Sequence, residues 1–401
     1  MSTEIKARVH ELEDELIALR RDFHMHPELG MEEHRTAGIV ETYLQDLGLE
    51  VSRMCGTGVI GLLKGGQPGK TLMMRADTDA LPIEEVTGLD FKSKTPGVMH
   101  ACGHDGHTSM MMIAAKILSE RKGTLKGDIK FVFQPNEEGG CAHEMVQEGV
   151  MQNPKVDAVL GTHLMTGLPM GTISADDGPV MAEANVFRLT IRGLGGHTAV
   201  PENSVDPILT AASVIQQVQA IQTRELSPHK AVAIVFGSIH AGSAANIIPD
   251  AVELQGTLRC LFKSNDEPGD NVLERFERVV SNICAAHRAA YELEWVAHDP
   301  AVVNDPDISA IVRGAAADVI AGTDQQIVPY VTMIGEDFCR FSQEVPGTFY
   351  FVGVANPDKK TDYPHHHPSF DIDEEALAIG VELHVTSALH YLNGQLQNTS
   401  S

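Results

Sequence analysis

The sequence predicts an α/β protein: a mostly parallel sheet covered by helices, interrupted by a ferredoxin-like α+β insertion. Three observations carry this. Residues 71–163 alternate strand-like and helix-like runs, residues 185–298 change to the order β-α-β-β-α-β, and after about residue 300 the first pattern resumes. The chain has 401 residues, too many for one ordinary domain and suited to two, or to one carrying an insertion. The expected boundaries are 1–184 and 299–401 for the sheet domain and 185–298 for the insertion.

Each element has its own warrant. The opening "MSTEIKARVHELEDELIALRR" reads as a charged amphipathic helix. It lacks the apolar stretch and small-residue cleavage site of a signal peptide. "TLMMRADTD" is a short apolar run ending in Asp77 and Asp79, and "TSMMMIAAKILSER" has a helical period. "DIKFVFQPNEE" is rich in β-formers up to Pro135 and a pair of glutamates. "CAHEMVQEGV" reads as a helix and "DAVLGTH" as a strand ending in His163. Polar residues thus gather past the strand carboxyl ends, where open α/β sheets bind ligands.

In the insertion "NVFRLTIRG" alternates as a strand, and a helix is expected near 205–223. "AVAIVFGSIHAG" and "AVELQGTLRC" are strands, and a helix near 269–289 precedes the strand "YELEWVAH". "FYFVGVAN" returns to the main sheet. "DEEALAIGVELHVTSALHYL" is a long closing helix with acids in its first turn, and "NGQLQNTSS" reads as a frayed tail.

Composition narrows the function. The formal net charge is −25, from 30 Lys+Arg against 55 Asp+Glu. That field repels phosphate backbones and anionic lipid surfaces, so neither nucleic acid nor a membrane is an expected partner. No apolar run reaches the roughly 18 residues that span a bilayer. The six cysteines are scattered with no C-x-x-C pair, which fits a reducing cytoplasm and thiols that act as small buried apolar groups.

Five constellations carry chemistry. "MHACGHDGHT" puts Cys102 and His104 around Gly103, and thiolate and imidazole are good ligands for zinc-like ions. If the loop is extended, both side chains face one way. Taken alone, C-x-H also fits a buried cysteine beside a turn histidine; His100, Asp105 and His107 of the same run are expected as supports or as the start of a helix. Glu137 and Glu138 follow the strand "FVFQP", where one carboxylate can bind metal while the other serves as general base. His163 ends an apolar strand at the same sheet edge. "PHHHPSF" holds His365, His366 and His367 before a proline that favours extended chain, so at most one or two reach a single ion. Together these describe a mononuclear or binuclear metal site. In the insertion, His197 on the turn "GLGGHTAVP", Asn246, and Arg259 at a strand end suit an acyl oxygen and a carboxylate.

With these residues in view, the chain resembles the metal-dependent amidohydrolases of the M20 peptidase family. The likeness is to the branch of hippurate hydrolases, N-acyl-amino-acid deacylases and auxin-conjugate hydrolases. It rests on "RRDFHMHPELGMEE", "MRADTDALPI", "MHACGHDGHT", "FQPNEEGG", "GGHTAVPENSVDPI", "NIIPD", "GEDF" and "HHPSFDIDEEAL", in order from about residue 20 to 390. The resemblance implies a catalytic sheet domain with a lid and dimerisation insertion, and a homodimer or higher homo-oligomer. It implies two divalent cations per subunit: zinc or manganese, with cobalt or nickel also possible. Cys102, His104, Glu138, His163 and His366 match the metal ligands, Cys102 bridging. His366 is singled out because relatives carry one histidine two places before the proline. Glu137 matches the general base, His197 the lid histidine that reaches a neighbouring subunit, and Asn246 and Arg259 the holders of a substrate carboxylate.

The implied substrate is a small N-acyl amino acid. The alternatives are a dipeptide substrate with a free amine, or a metal-binding protein without catalysis. An exposed thiolate ligand would also make activity depend on reductant. Asn136, Cys141 and His143 depart from the usual "QPAEEGGGGA", "HLMTGLP" replaces the more common "HVWPGLP", and "MIGEDF" replaces "MGAEDF". The second change removes an aromatic near the pocket and argues against a bulky aromatic acyl group.

Overall fold

A computed structural model describes residues 2–262 and 271–394. The chain divides into two compact units: Met1–Gly178 with Val303–Tyr330 and Asp337–Ser401, and Pro179–Val302 with Val331–Glu336.

The first unit opens on α1 (Ser2–Glu11) and α2 (Glu13–Met25). The single helix expected there breaks at Leu12, whose backbone leaves the helical region at φ −104 and ψ 5. Ile5, Val9, Leu12 and Leu16 nevertheless remain one buried stripe across the break. Helix α3 (His34–Asp46) and strands β1 (Glu50–Met54), β2 (Gly58–Lys64) and β3 (Gln67–Asp77) follow. Then come α4 (His104–Ser119), β4 (Lys126–Gln134), α5 (Ala142–Gln147), β5 (Ala158–Pro169) and β6 (Ile173–Ser174). After the second unit the chain supplies α6 (Pro306–Val319), β7 (Gly347–Ala355) and α7 (Glu375–Leu392).

The seven strands form one sheet in the order β1-β2-β4-β3-β5-β7-β6. Its centre, β4-β3-β5-β7, is parallel. The outer pairings β1·β2, β2·β4 and β7·β6 are antiparallel. Leu72, Met73 and Met74 of β3 and Phe131, Val132 and Phe133 of β4 are buried in continuous runs, as strands covered on both faces must be. Helices α4 and α7 are apolar nearly all round and almost wholly buried. Register sets Asp77 opposite Gln134, so the loops leaving β3 and β4 emerge side by side. Strand β5 does not stop at His163 but runs on to Pro169, with His163 paired to Phe351 in mid-strand.

The second unit is a four-stranded antiparallel sheet in the order Val232–Ala241, Ala251–Cys260, Glu183–Arg192, Ala290–Asp299. The helices Pro207–Ala220 and Val272–Ala286 share its core with Phe187, Leu189 and Ile191. This is the β-α-β-β-α-β ferredoxin-like order. Asp206 caps the first helix through the amides of Ile208 and Leu209, with Pro207 at its first position. Asn271 caps the second through Glu274 N–H. That helix was expected to begin near residue 269, which lies outside the described residues, as do residues 395–401 of the expected tail.

Candidate metal centre

Gly103 sits at the N-cap of α4 with φ +91, a left-handed conformation that glycine adopts without a Cβ penalty. The Cys102–His104 segment is therefore a sharp turn into a helix and not an extended loop. Cys102 precedes the turn, and His104 is the first helical residue. Their convergence comes from the turn, not from strand alternation.

Two groups of donor atoms result, and they share one sulfur. Cys102, His104 and His163 form one, and Cys102, Glu138 and His366 the other, with the atoms of each group within 4.8 Å of one another. Cys102 Sγ lies 3.5 Å from His163 Nε2, and His366 Nε2 lies 3.1 Å from Glu138 Oε1. Glu137, in the 3-10 turn Glu137–Gly139, stands within the same 4.8 Å of His104 and Glu138. The first group is buried, whereas Glu138 and His366 of the second reach the surface. Cys102 itself is only 9% exposed, so the solvent-exposed thiolate expected from sequence is corrected: the sulfur is enclosed.

The donor set fits divalent cations. His104 Nδ1 donates to the Asp79 carbonyl at 2.9 Å, leaving Nε2 with its lone pair. That Nε2 is buried with no hydrogen-bond partner, an expensive arrangement unless something electropositive meets it. Burial pushes the Cys102 thiol up. Hydrogen bonds to Cys102 and Glu138 push His366 up to about 10. Burial alone would lower His104, but the Asp77 carboxylate and the Cys102 sulfur raise it well above the usual range. A cation bound here would displace these protons, because metal ligands bind in their deprotonated forms.

A third nearby group, Asp77, His104 and His107, is also within 4.8 Å. Two of its three members are already engaged: Asp77 accepts from Arg75 at 2.7 Å and from His107 Nδ1 at 2.6 Å, and His107 Nε2 accepts from Leu164 N–H at 2.9 Å. It is a support, not a second site.

The three consecutive histidines part company because His366 itself is left-handed, at φ +64, and not extended as the following proline suggested. His365 donates from Nε2 to Leu164 O at 2.9 Å, His366 faces Glu138, and His367 stacks on Tyr363.

Several residues of this region were not singled out as site residues in the sequence. Asp79 holds His104 through one oxygen at 3.2 Å and Glu138 N–H through the other at 3.1 Å. Glu33 is buried and accepts from Asn136 N–H at 2.9 Å, fixing the left-handed residue just before Glu137. Asp337, the aspartate of "GEDF", accepts from Gln134 at 2.7 Å and from Ala142 N–H at 2.8 Å, so it ties the two ends of the glutamate loop together. "ADTD" and "GEDF" were visible motifs, but their partners lie dozens to hundreds of residues away. Asp105 and His107, expected as supports, stand in the first turn of α4, where Asp105 binds Arg20 and His24 at 3.0 and 2.8 Å. Burial pushes the Asp105 carboxyl up, but Arg20 and His24 outweigh it and hold it far below the usual range. His100 is buried with neither ring nitrogen hydrogen-bonded.

In the second unit, His197 and Asn246 come together. His197 pairs with Ile247 in a short two-stranded ladder, and Thr198 N–H donates to Asn246 O at 3.3 Å. His197 Nδ1 accepts from Ala199 N–H at 3.0 Å. Arg259 is elsewhere. It pairs with Ala184 near the far end of the strand whose first residue, Ala251, pairs with Arg192. Eight residues of strand, roughly 27 Å, separate Arg259 from that end. Its guanidinium is half-buried and donates to Met333 O at 2.9 Å. Within one chain, Arg259 therefore lies toward the opposite end of that strand from the ladder that holds Asn246.

Residues 73–390 match the model of Peptidase family M20/M25/M40. The chain belongs to that family. This M20 protein is 37% identical over 395 residues to Thermostable carboxypeptidase 1 of Saccharolobus solfataricus, covering 97% of this chain and 98% of the relative. It is 38% identical over 368 residues to N-acetyl-L-cysteine deacetylase of Bacillus subtilis, covering 91% and 85%. Among solved structures, the YXEP protein of Bacillus subtilis, described as a dinuclear metal-binding peptidase of the M20 family, matches with a TM-score of 0.83. The identity is 34%, over 96% of this chain and 99% of that one. This M20 chain is a metal-dependent amide hydrolase.

Proposed function

We propose that the protein hydrolyses the amide bond of N-acyl amino acids, N-acetyl or related conjugates, to a carboxylic acid and a free amino acid. One observation carries this reading: two donor groups share the Cys102 sulfur with Glu137 beside them. The likeness to a deacetylase and a carboxypeptidase supports it, since both names describe cleavage of an acyl–nitrogen bond.

In this reading Cys102, His104 and His163 hold one divalent cation and Cys102, Glu138 and His366 the other, zinc or manganese first, cobalt or nickel also accommodated. The bound pair would lower the pKa of water toward neutrality and polarise the scissile carbonyl. Glu137 takes the proton of the attacking water and returns it to the leaving amine nitrogen. Asp79 keeps the His104 lone pair turned inward by fixing its Nδ1–H. His197 donates to the oxygen of the tetrahedral intermediate, Asn246 to the substrate, and Arg259 pairs with its carboxylate. The separation of His197 and Asn246 from Arg259 along their unit supports a homodimer or higher oligomer in which the two groups would serve different active sites.

A panel of N-acetyl, N-benzoyl and free dipeptide substrates, assayed with added zinc, manganese or cobalt, tests the reading. Expected is turnover of N-acyl amino acids, with the N-acetyl above the N-benzoyl compounds because Met165 replaces the aromatic of relatives. Turnover confined to dipeptides with a free amine would replace this reading with a dipeptidase.

A further inference from the structure

Leu164, the residue after His163, has both backbone polar groups held by imidazoles. Its N–H donates to His107 Nε2 at 2.9 Å, and its carbonyl accepts from His365 Nε2 at 2.9 Å and from His163 Nδ1 at 2.8 Å. These bonds fix every proton. A peptide N–H only donates, so His107 Nε2 carries the lone pair and its Nδ1–H points at Asp77 Oδ1, 2.6 Å away. A carbonyl only accepts, so His163 carries its proton on Nδ1 and aims the Nε2 lone pair at Cys102 Sγ.

Close packing makes this possible. A Cβ on Gly106 would come within 2.6 Å of Leu164 Cδ1, so the first turn of α4 lies directly on β5. His107, one residue on, can then reach the strand's backbone. Asp77 is anchored in turn by Arg75 at 2.7 Å, and Arg75 by Gln134 and Asp337 at 2.8 and 3.0 Å.

We propose that His107, oriented by Asp77, is a positioning residue that holds the Leu164 backbone and through it sets the tautomer and aim of His163 for the buried cation. The relay is carboxylate, imidazole, the backbone of Leu164, imidazole, ion. It extends the familiar carboxylate–histidine–metal arrangement by one residue, whose N–H and C=O belong to the peptide groups on either side of its Cα. The inference rests on the metal-binding part of the proposed function and on none of its substrate assignments.

The test reads metal binding, not turnover, so a failure of the amidohydrolase reading leaves it intact and the converse also holds. Cobalt(II) is titrated into metal-stripped protein and followed by its absorption. His107→Gln can accept from Leu164 N–H and donate to Asp77; His107→Asn is polar but too short to do both. The expected result is that His107→Asn weakens one of two cobalt equivalents about 10- to 100-fold and leaves the other, while His107→Gln restores it to within about threefold of wild type. Equal affinities in all three proteins, or equal loss in both variants, would overturn the proposal. Should His107→Asn fail to fold, histidine ring-nitrogen NMR of zinc-loaded wild type decides. Protons on Nδ1 of both His107 and His163 support the relay, and a proton on Nε2 of either contradicts it.

Discussion

Glu137 and Glu138 are adjacent in sequence yet differ in surroundings. Glu138 faces His366 at 3.1 Å and has its N–H held by Asp79, whereas Glu137 belongs to neither group that shares the Cys102 sulfur. The difference supports the proposal that Glu138 binds metal and Glu137 moves the proton. Glu137→Gln keeps the shape and removes the basic oxygen. It is expected to retain wild-type metal content, read by elemental analysis, and to lose about two to four orders of magnitude in kcat. Near wild-type turnover would remove Glu137 from the mechanism. Cys102 and His104 were legible in the sequence because they are neighbours there. Asp79 was not assigned such a task, and His107 was expected as a support without a named partner, because those partners exist only once α4 lies against the β3 edge and β5. His366 was separable from His365 and His367 only by resemblance, since its left-handed backbone is not written in "HHHP".

Among the elements, α7 shows how burial sets pH dependence. The helix is enclosed almost along its whole length, and Glu382 in it is 8% exposed. Burial raises its carboxyl to about 6, against a smaller opposing pull from Lys6. The folded pKa exceeds the unfolded one, so the neutral form favours folding. That contribution is complete below about pH 4.5 and is lost as pH rises through 6. Charged above pH 6, Glu382 costs the fold on the order of 2 kcal/mol. Glu382→Gln is therefore expected to be more stable than wild type at pH 8 by about 1–2 kcal/mol and indistinguishable at pH 4.5, by urea unfolding at both. No gain at pH 8 would mean that Lys6 offsets the burial. Most elements were readable from periodicity, including α7 and the strands of the second unit. The misreadings share a cause: β5 runs past His163 through "TGLP", which has no apolar run, and the helix break at Leu12 leaves the apolar stripe intact.

At the scale of the molecule, the fold brings the loops after β3, β4 and β7, the middle of β5 and the start of α4 to one place, and the parallel centre of the sheet is what aligns them. The sequence showed this architecture through its β-α alternation and the change of pattern near residue 185. It did not show that Val331–Glu336 belongs to the second unit. Nor did the reading weigh strand length, which sets Arg259 and Asn246 apart. All six cysteines are free and buried, and no described helix is long and apolar enough to cross a membrane.

The central claim is that one sulfur serves two ions, and X-ray absorption on protein loaded with zinc tests it most directly. The account predicts two ions per chain, a sulfur neighbour at about 2.3 Å from each, and a second metal about 3.5–4 Å away, with the sulfur signal lost in Cys102→Ser. A single ion per chain, or an unchanged sulfur signal in Cys102→Ser, would contradict it.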